Sequence, residues 1–112
     1  MTEGSRVRTL EPQAFDIELQ SGQGPCLVAF LKRNDRYRDQ MKILEEASAA
    51  YGGVFRFYLF DADYLDTALE RFKVKGTPTF LLFREGREVS RLIGESDRET
   101  LGEFIESALE MG

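Results

Sequence analysis

The feature that most constrains this chain is a continuous apolar run at residues 26–31, which has the sequence CLVAFL. Gly24 and Pro25 precede the run and Lys32 and Arg33 follow it, so it is too short for a typical helix. Side chains of a strand alternate between the two faces of a sheet, and here both sets are apolar. The sequence therefore predicts a central strand in a sheet that is covered on both faces.

The segment after this strand has a different period. Its apolar residues recur at spacings of three and four, which places them on one face of a helix that ends at Gly52 and Gly53. Asn34 or Asp35 is positioned to cap the start of this helix. The apolar residues of the stripe are Tyr37, Met41, Leu44, Ala47 and Tyr51.

The same reasoning extends along the chain. Pro12 favours a helix start, Asp63 can cap a short helix, and Ser96 with Glu99 forms a possible capping box. Strands are predicted at 6–9, 26–31, 54–60, 79–83 and 88–93, and helices at 12–20, 35–51, 63–72 and from 96 onward. This order predicts an α/β fold: a central mixed sheet of about five strands, with a C-terminal antiparallel hairpin, flanked by about four helices. We expect residues 1–112 to form a single domain whose first few residues are flexible.

The absence or scarcity of three residue types excludes most familiar kinds of catalytic and metal site. Histidine and tryptophan are absent, and Cys26 is the single cysteine. The chain therefore lacks an imidazole base, a two-thiol redox centre and a Cys/His zinc set, and we expect no metal and no cofactor. The formal net charge of −5 argues against general binding to nucleic acid or anionic membranes. With no apolar N-terminal segment and one lone thiol, the sequence favours a cytoplasmic protein.

One segment carries a specific resemblance. Residues 74–86 (VKGTPTFLLFREG) resemble the stretch around the cis-proline of the thioredoxin family and the hairpin that follows it. Residues 27–30 (LVAF), residues 61–63 (DAD) and Gly94 agree with the same family. The resemblance implies a thioredoxin fold over nearly the whole chain. It also implies a cis bond before Pro78 and a Thr77 backbone that is offered to an extended protein segment.

The catalytic motif of that family is absent. Thioredoxins place Cys-x-x-Cys between the central strand and the next helix, whereas residues 32–39 here are KRNDRYRD. Because this loop is one residue shorter, alignment from the helix puts Asn34 and Tyr37 at the cysteine positions. Alignment from the strand instead puts Asp35 and Arg38 there. Neither alignment supplies sulfur.

Two further positions also lack the residues that the family uses in catalysis. The family carries a buried Asp and a neighbouring Lys that assist proton transfer at the inner cysteine, and by resemblance these fall on Ala29 and Leu59. A buried charge is costly when it has no reaction to serve, so apolar replacements fit a chain without the cysteines. In this respect the chain is similar to non-catalytic thioredoxin-like accessory proteins, including those of hydrogenase maturation.

Basic residues are concentrated at the position where the family has its Cys-x-x-Cys motif. They form either a solvated surface paired locally with Asp35 and Asp39, or a docking patch for an acidic partner. Tyr37 fits a core anchor better than a contact residue. The basic residues are Lys32, Arg33, Arg36, Arg38 and Lys42, and the predicted partner-binding residues are Thr77, Pro78, Arg33, Asn34, Asp35, Arg36, Tyr37 and Arg38.

These observations lead to two functional hypotheses. The first is a redox-inactive adaptor or chaperone-like domain that holds an acidic or extended protein segment, although the family as a whole serves cell redox homeostasis. The second is a thiol-disulfide oxidoreductase, or a redox-regulated protein, that acts through Cys26. Free cysteine at the start of a buried strand is more often structural than reactive, which favours the first. The sequence leaves the oligomeric state open.

Overall fold

The computed structural model describes residues 7–11, 13–14, 17, 24–33, 35–60, 65–74 and 76–110. Within these ranges there are five strands and three helices. The strands are β1 (Val7–Leu10), β2 (Cys26–Phe30), β3 (Arg56–Phe60), β4 (Thr79–Arg84) and β5 (Arg87–Ile93). The helices are α1 (Tyr37–Tyr51), α2 (Leu65–Phe72) and α3 (Arg98–Glu110).

The five strands form one mixed sheet in the order β1-β3-β2-β4-β5. Strands β1, β3 and β2 are parallel, and β4 and β5 are each antiparallel to their neighbour. All five residues of β2 are buried. The predicted central strand and C-terminal hairpin are therefore confirmed.

Each face of the sheet has its own core. On one face Phe72 of α2 packs its ring against the rings of Phe30, Phe60 and Phe83. On the other, α1 and α3 bury Leu44 and Ile105 against Leu27, Phe57, Phe80 and their neighbours. The aromatic residues Phe55, Phe57, Tyr58 and Phe60 are at most 2% exposed. They are core residues.

Part of the predicted helical structure lies outside the described residues. Of the helix expected at 12–20, only Gln13, Ala14 and Ile17 are described, and all three are helical. The expected capping residue Asp63 and the first few residues, which were expected to be flexible, also lie outside the described residues.

Both helix caps that can be compared differ from prediction. Helix α1 begins one residue later than an Asp35 cap requires: Arg36 is the N-cap and makes no capping hydrogen bond with its side chain. Helix α3 begins at Arg98, so Asp97, not Ser96, is its N-cap. The Asp97 carboxylate accepts a hydrogen bond from the Thr100 amide at 2.7 Å, and this bond lowers the pKa of Asp97.

Candidate functional site

The loop before α1 and the segment before β4 meet in one shallow surface groove, which we call the cis-proline groove. Lys32, Arg36 and Tyr37 line it from the first segment, and Thr77 and Pro78 from the second. The remaining lining residues are Leu31, Gln40 and Glu95. Thus the fold brings together five residues of the basic loop and proline edge that are far apart in sequence.

The proline edge of the groove is held by backbone contacts. The Thr77–Pro78 peptide bond is cis, as the resemblance implied. Pro78 is buried, and its carbonyl accepts a hydrogen bond from the Gly94 amide at 2.9 Å. Thr77 is half-buried, and none of the hydrogen bonds between described residues uses its backbone amide or carbonyl. Its backbone therefore remains available at the groove.

The cations around α1 occupy two environments. Arg36 points its guanidinium at Glu95, with Nε 3.3 Å from Oε1. The guanidinium of Arg33 lies 5.3 Å from the centre of the Tyr37 ring, a cation–π contact. We call Lys32, Arg33, Arg36, Arg38 and Lys42 together the basic patch; all five are exposed, and the Arg36 side chain is 55% exposed.

Local pairing within the basic patch is not what the structure shows. Asp35 and Asp39 are exposed, and within the described part of the chain neither forms an ion pair. Arg36 pairs instead with Glu95, which comes from the loop after β5. Arg38 and Lys42 extend along the exposed side of α1 outside the groove lining, and Asn34 lies outside the described residues.

Gln40 is a site residue that the sequence reasoning missed. It is 3% exposed, its Nε2 donates to the Ser96 carbonyl at 3.1 Å, and its Oε1 accepts from the Ser96 amide at 3.4 Å. The signal was present in the spacing, because Tyr37, Gln40, Leu44, Ala47 and Tyr51 also follow a three-four period. A stripe restricted to apolar residues contains the neighbouring Met41 in place of Gln40.

Tyr37 lies at the junction of the core and the groove. It is half-buried, packs against the core of the α1/α3 face and lines the groove opposite Pro78. The core-anchor role expected for Tyr37 therefore agrees with its packing, and its role as a partner contact stays a prediction. Arg38, the alternative at the second cysteine position, is exposed and does not line the groove.

The single thiol lies away from this groove. Cys26 is the first residue of β2, and the loop follows the last, which is about 13 Å away at roughly 3.3 Å per strand residue. Cys26 is 1% exposed, and desolvation by burial raises the pKa of its thiol to about 11, against a smaller opposing effect of Arg56. Burial makes this thiol a weak nucleophile at neutral pH.

The two positions that carry charge in thioredoxins are apolar and adjacent. Ala29 and Leu59 are direct register partners on β2 and β3, and both are buried in the α1/α3 face of the core. No proton-transfer pair can form there. Among the described residues there is also no group of three or more His, Cys, Asp or Glu able to hold a metal ion.

No described helix is long and apolar enough to cross a membrane. The prediction of a cytoplasmic location is a separate matter and stays a prediction.

Comparison with known proteins gives a consistent result. The thioredoxin family profile matches residues 6–107. A thioredoxin of Staphylococcus saprophyticus is 31% identical over 105 residues, covering 85% of this chain and 90% of that protein. The chloroplastic thioredoxin Y of Oryza sativa subsp. japonica is 28% identical over 99 residues, covering 88% of this chain and 59% of that protein. With this profile match, the cis-proline and the mixed sheet, the chain belongs to the thioredoxin family.

Proposed function

We propose that this chain is a non-catalytic, protein-binding member of the thioredoxin family that acts as an adaptor or chaperone-like domain. Its site is the cis-proline groove together with the basic patch. The partner presents an extended segment to the Thr77 backbone and acidic side chains to the cations. The domain acts without a bound cofactor.

One observation carries this proposal: the groove combines an available backbone edge with cations and contains no thiol. The Thr77 amide and carbonyl can pair with an extended segment in the manner of strand addition. Arg36 and Lys32 line the same groove, and Arg33 and Arg38 extend the positive charge beyond it. Charge complementarity of this kind adds orientation and faster association to backbone pairing.

Charge reversal tests the basic patch. In affinity capture from a native extract, followed by quantitative binding to the captured protein, Arg33→Glu with Arg38→Glu should weaken binding at least tenfold. Arg36 is left intact because it pairs with Glu95, so the groove itself is not altered. Binding by the unmodified domain should also weaken as salt is raised.

The matched control is Arg8→Glu with Arg87→Glu, which makes the same change in net charge at exposed positions away from the groove. This control should bind normally. Equal weakening in the two double variants would show that only net charge matters, and normal binding by both would show that charge has no role; either result would contradict recognition by the basic patch.

The competing hypothesis is thiol chemistry at Cys26, as the names of the relatives suggest. A single cysteine cannot form the internal disulfide that a two-cysteine thioredoxin uses, and this one is buried. A disulfide-reduction assay separates the hypotheses. Activity above background that disappears in Cys26→Ser would overturn the non-catalytic proposal, whereas background activity in both proteins would support it.

A further inference from the structure

A second groove, separate from the first, lies between α1 and α3. Its floor consists of small residues, Ala47, Ala50 and Gly102, and its rim includes Glu99, Glu103 and Glu106. The cavity volume is about 550 Å³. Four of the lining residues already form two pairs, because Arg98 pairs with Glu46 and the Tyr51 hydroxyl donates to Glu106 at 2.6 Å. Glu99 and Glu103 form no ion pair with any described residue.

Glu99 lies in the first turn of α3, where a carboxylate is favourable, but the other carboxylates on this side of α3 do not stabilise the helix. Glu99, Glu103, Glu106 and Glu110 are spaced four, three and four residues apart, so like charges are neighbours along one side of α3. The last turn of α1 also points into this region and contains no basic residue to offset the negative end of the helix. A cationic ligand would reduce the repulsion among the carboxylates of α3 and would also offset the negative end of α1.

Gly102 lies on the groove floor, and the packing of this chain leaves room there for a methyl group. A Cβ atom at this position would lie 3.7 Å from the Tyr51 hydroxyl, which is an ordinary van der Waals distance. Its backbone has no positive φ, so alanine would fit the helix better. Glycine here leaves the floor open to a close approach from outside.

From these contacts we infer that the α1/α3 groove is a second docking surface, which takes a cationic amphipathic helix of a partner protein. Lysine or arginine side chains of that helix pair with Glu99 and Glu103, and its small or medium apolar residues lie over Ala50 and Gly102. A helix fits better than an extended segment, because the groove is bounded by two helices and offers no strand edge. The domain would then hold two partners of opposite charge on different surfaces.

The test is an NMR titration of the full chain with an 18-residue helical peptide of leucine, alanine and lysine. We expect saturable shifts at the amides of Ala50, Tyr51 and Gly102, and none at Thr77. The same peptide with glutamate in place of lysine should cause no shifts. Diffuse, non-saturating shifts over the acidic surface, or no binding at millimolar peptide, would overturn the inference.

Two variants and a control test which residues of the groove contribute to peptide binding. Glu99→Gln with Glu103→Gln should weaken binding at least fivefold, and Gly102→Leu should abolish it by filling the floor. The control, Glu70→Gln with Glu85→Gln, makes the same charge change at exposed positions outside the groove. If this control weakens binding as much as the rim variant does, the interaction is general electrostatics and the docking surface is excluded. Circular dichroism of each variant verifies the fold.

Discussion

At the scale of single residues, Cys26 shows how the fold decides what a side chain can do. The thiol begins the central strand, and its neighbours across the sheet are Arg56 and Phe83. Burial favours the neutral thiol over the charged thiolate, which raises the pKa to about 11 from an ordinary value of 9.0. The residue therefore behaves as a small core side chain.

The raised pKa of Cys26 predicts the direction in which the free energy of unfolding changes with pH. Because the unfolded chain loses the proton near pH 9 while the folded chain keeps it, the contribution of Cys26 to stability is present below pH 9. It is lost as pH rises towards 11. Urea denaturation between pH 8 and 11 should show a larger fall in unfolding free energy for the native protein than for Cys26→Ala. The difference should be at most about 3 kcal/mol. Parallel curves for the two proteins would contradict a buried thiol.

At the scale of elements, the sequence predicted the strands and helices better than their ends. The central strand follows from a continuous apolar run and α1 from a period of 3.6, because burial shapes the sequence along a whole element. A helix cap depends on a single residue and on the path of the preceding loop. The observed cap of α3, Asp97, therefore differs by one residue from the predicted cap, Ser96. The buried bond between Gln40 and Ser96 joins residues 56 apart and had no local signal.

Glycine positions provide a test of element stability with a built-in comparison. Gly102→Ala should stabilise the protein by about 0.5 to 1 kcal/mol, since Gly102 lies in a helix interior with room for a methyl group. At Gly94 a methyl group also has room, but φ is +104°, so Gly94→Ala should destabilise. Thermal or urea denaturation of both variants gives the signs. The same sign for both would show that backbone conformation does not control these positions.

At the scale of the whole molecule, the sheet and its two cores determine the architecture. The charges are not arranged to stabilise it. Apart from Asp39 in its first turn, helix α1 begins among cations and ends beside carboxylates, the reverse of the arrangement that stabilises a helix. The sequence located the cations and the proline, yet only the folded chain shows that they share a groove. It could not predict the pairing of Arg36 with Glu95, because 59 residues of chain separate them.

The dependence of the whole fold on its central strand can be tested at Ala29. Ala29→Asp places a carboxylate without a partner where both faces of the sheet are closed, and should cost about 3 to 5 kcal/mol. That is a large part of the roughly 5 to 15 kcal/mol that holds a domain together. Val89→Asp is the control, because Val89 is 40% exposed on β5 and the change should cost only about 1 kcal/mol, mainly through lower strand propensity. Equal losses in urea denaturation would contradict this core.

The short loop between β5 and α3 has a consequence for how this chain can vary. Glu95 reaches Arg36, Ser96 bonds to Gln40, and Asp97 caps α3, so three consecutive residues each meet a different partner. Surface loops usually tolerate changes in length. Here the insertion or deletion of one residue would move all three contacts out of register together. Residues 95–97 should therefore accept substitutions far more readily than any change in length.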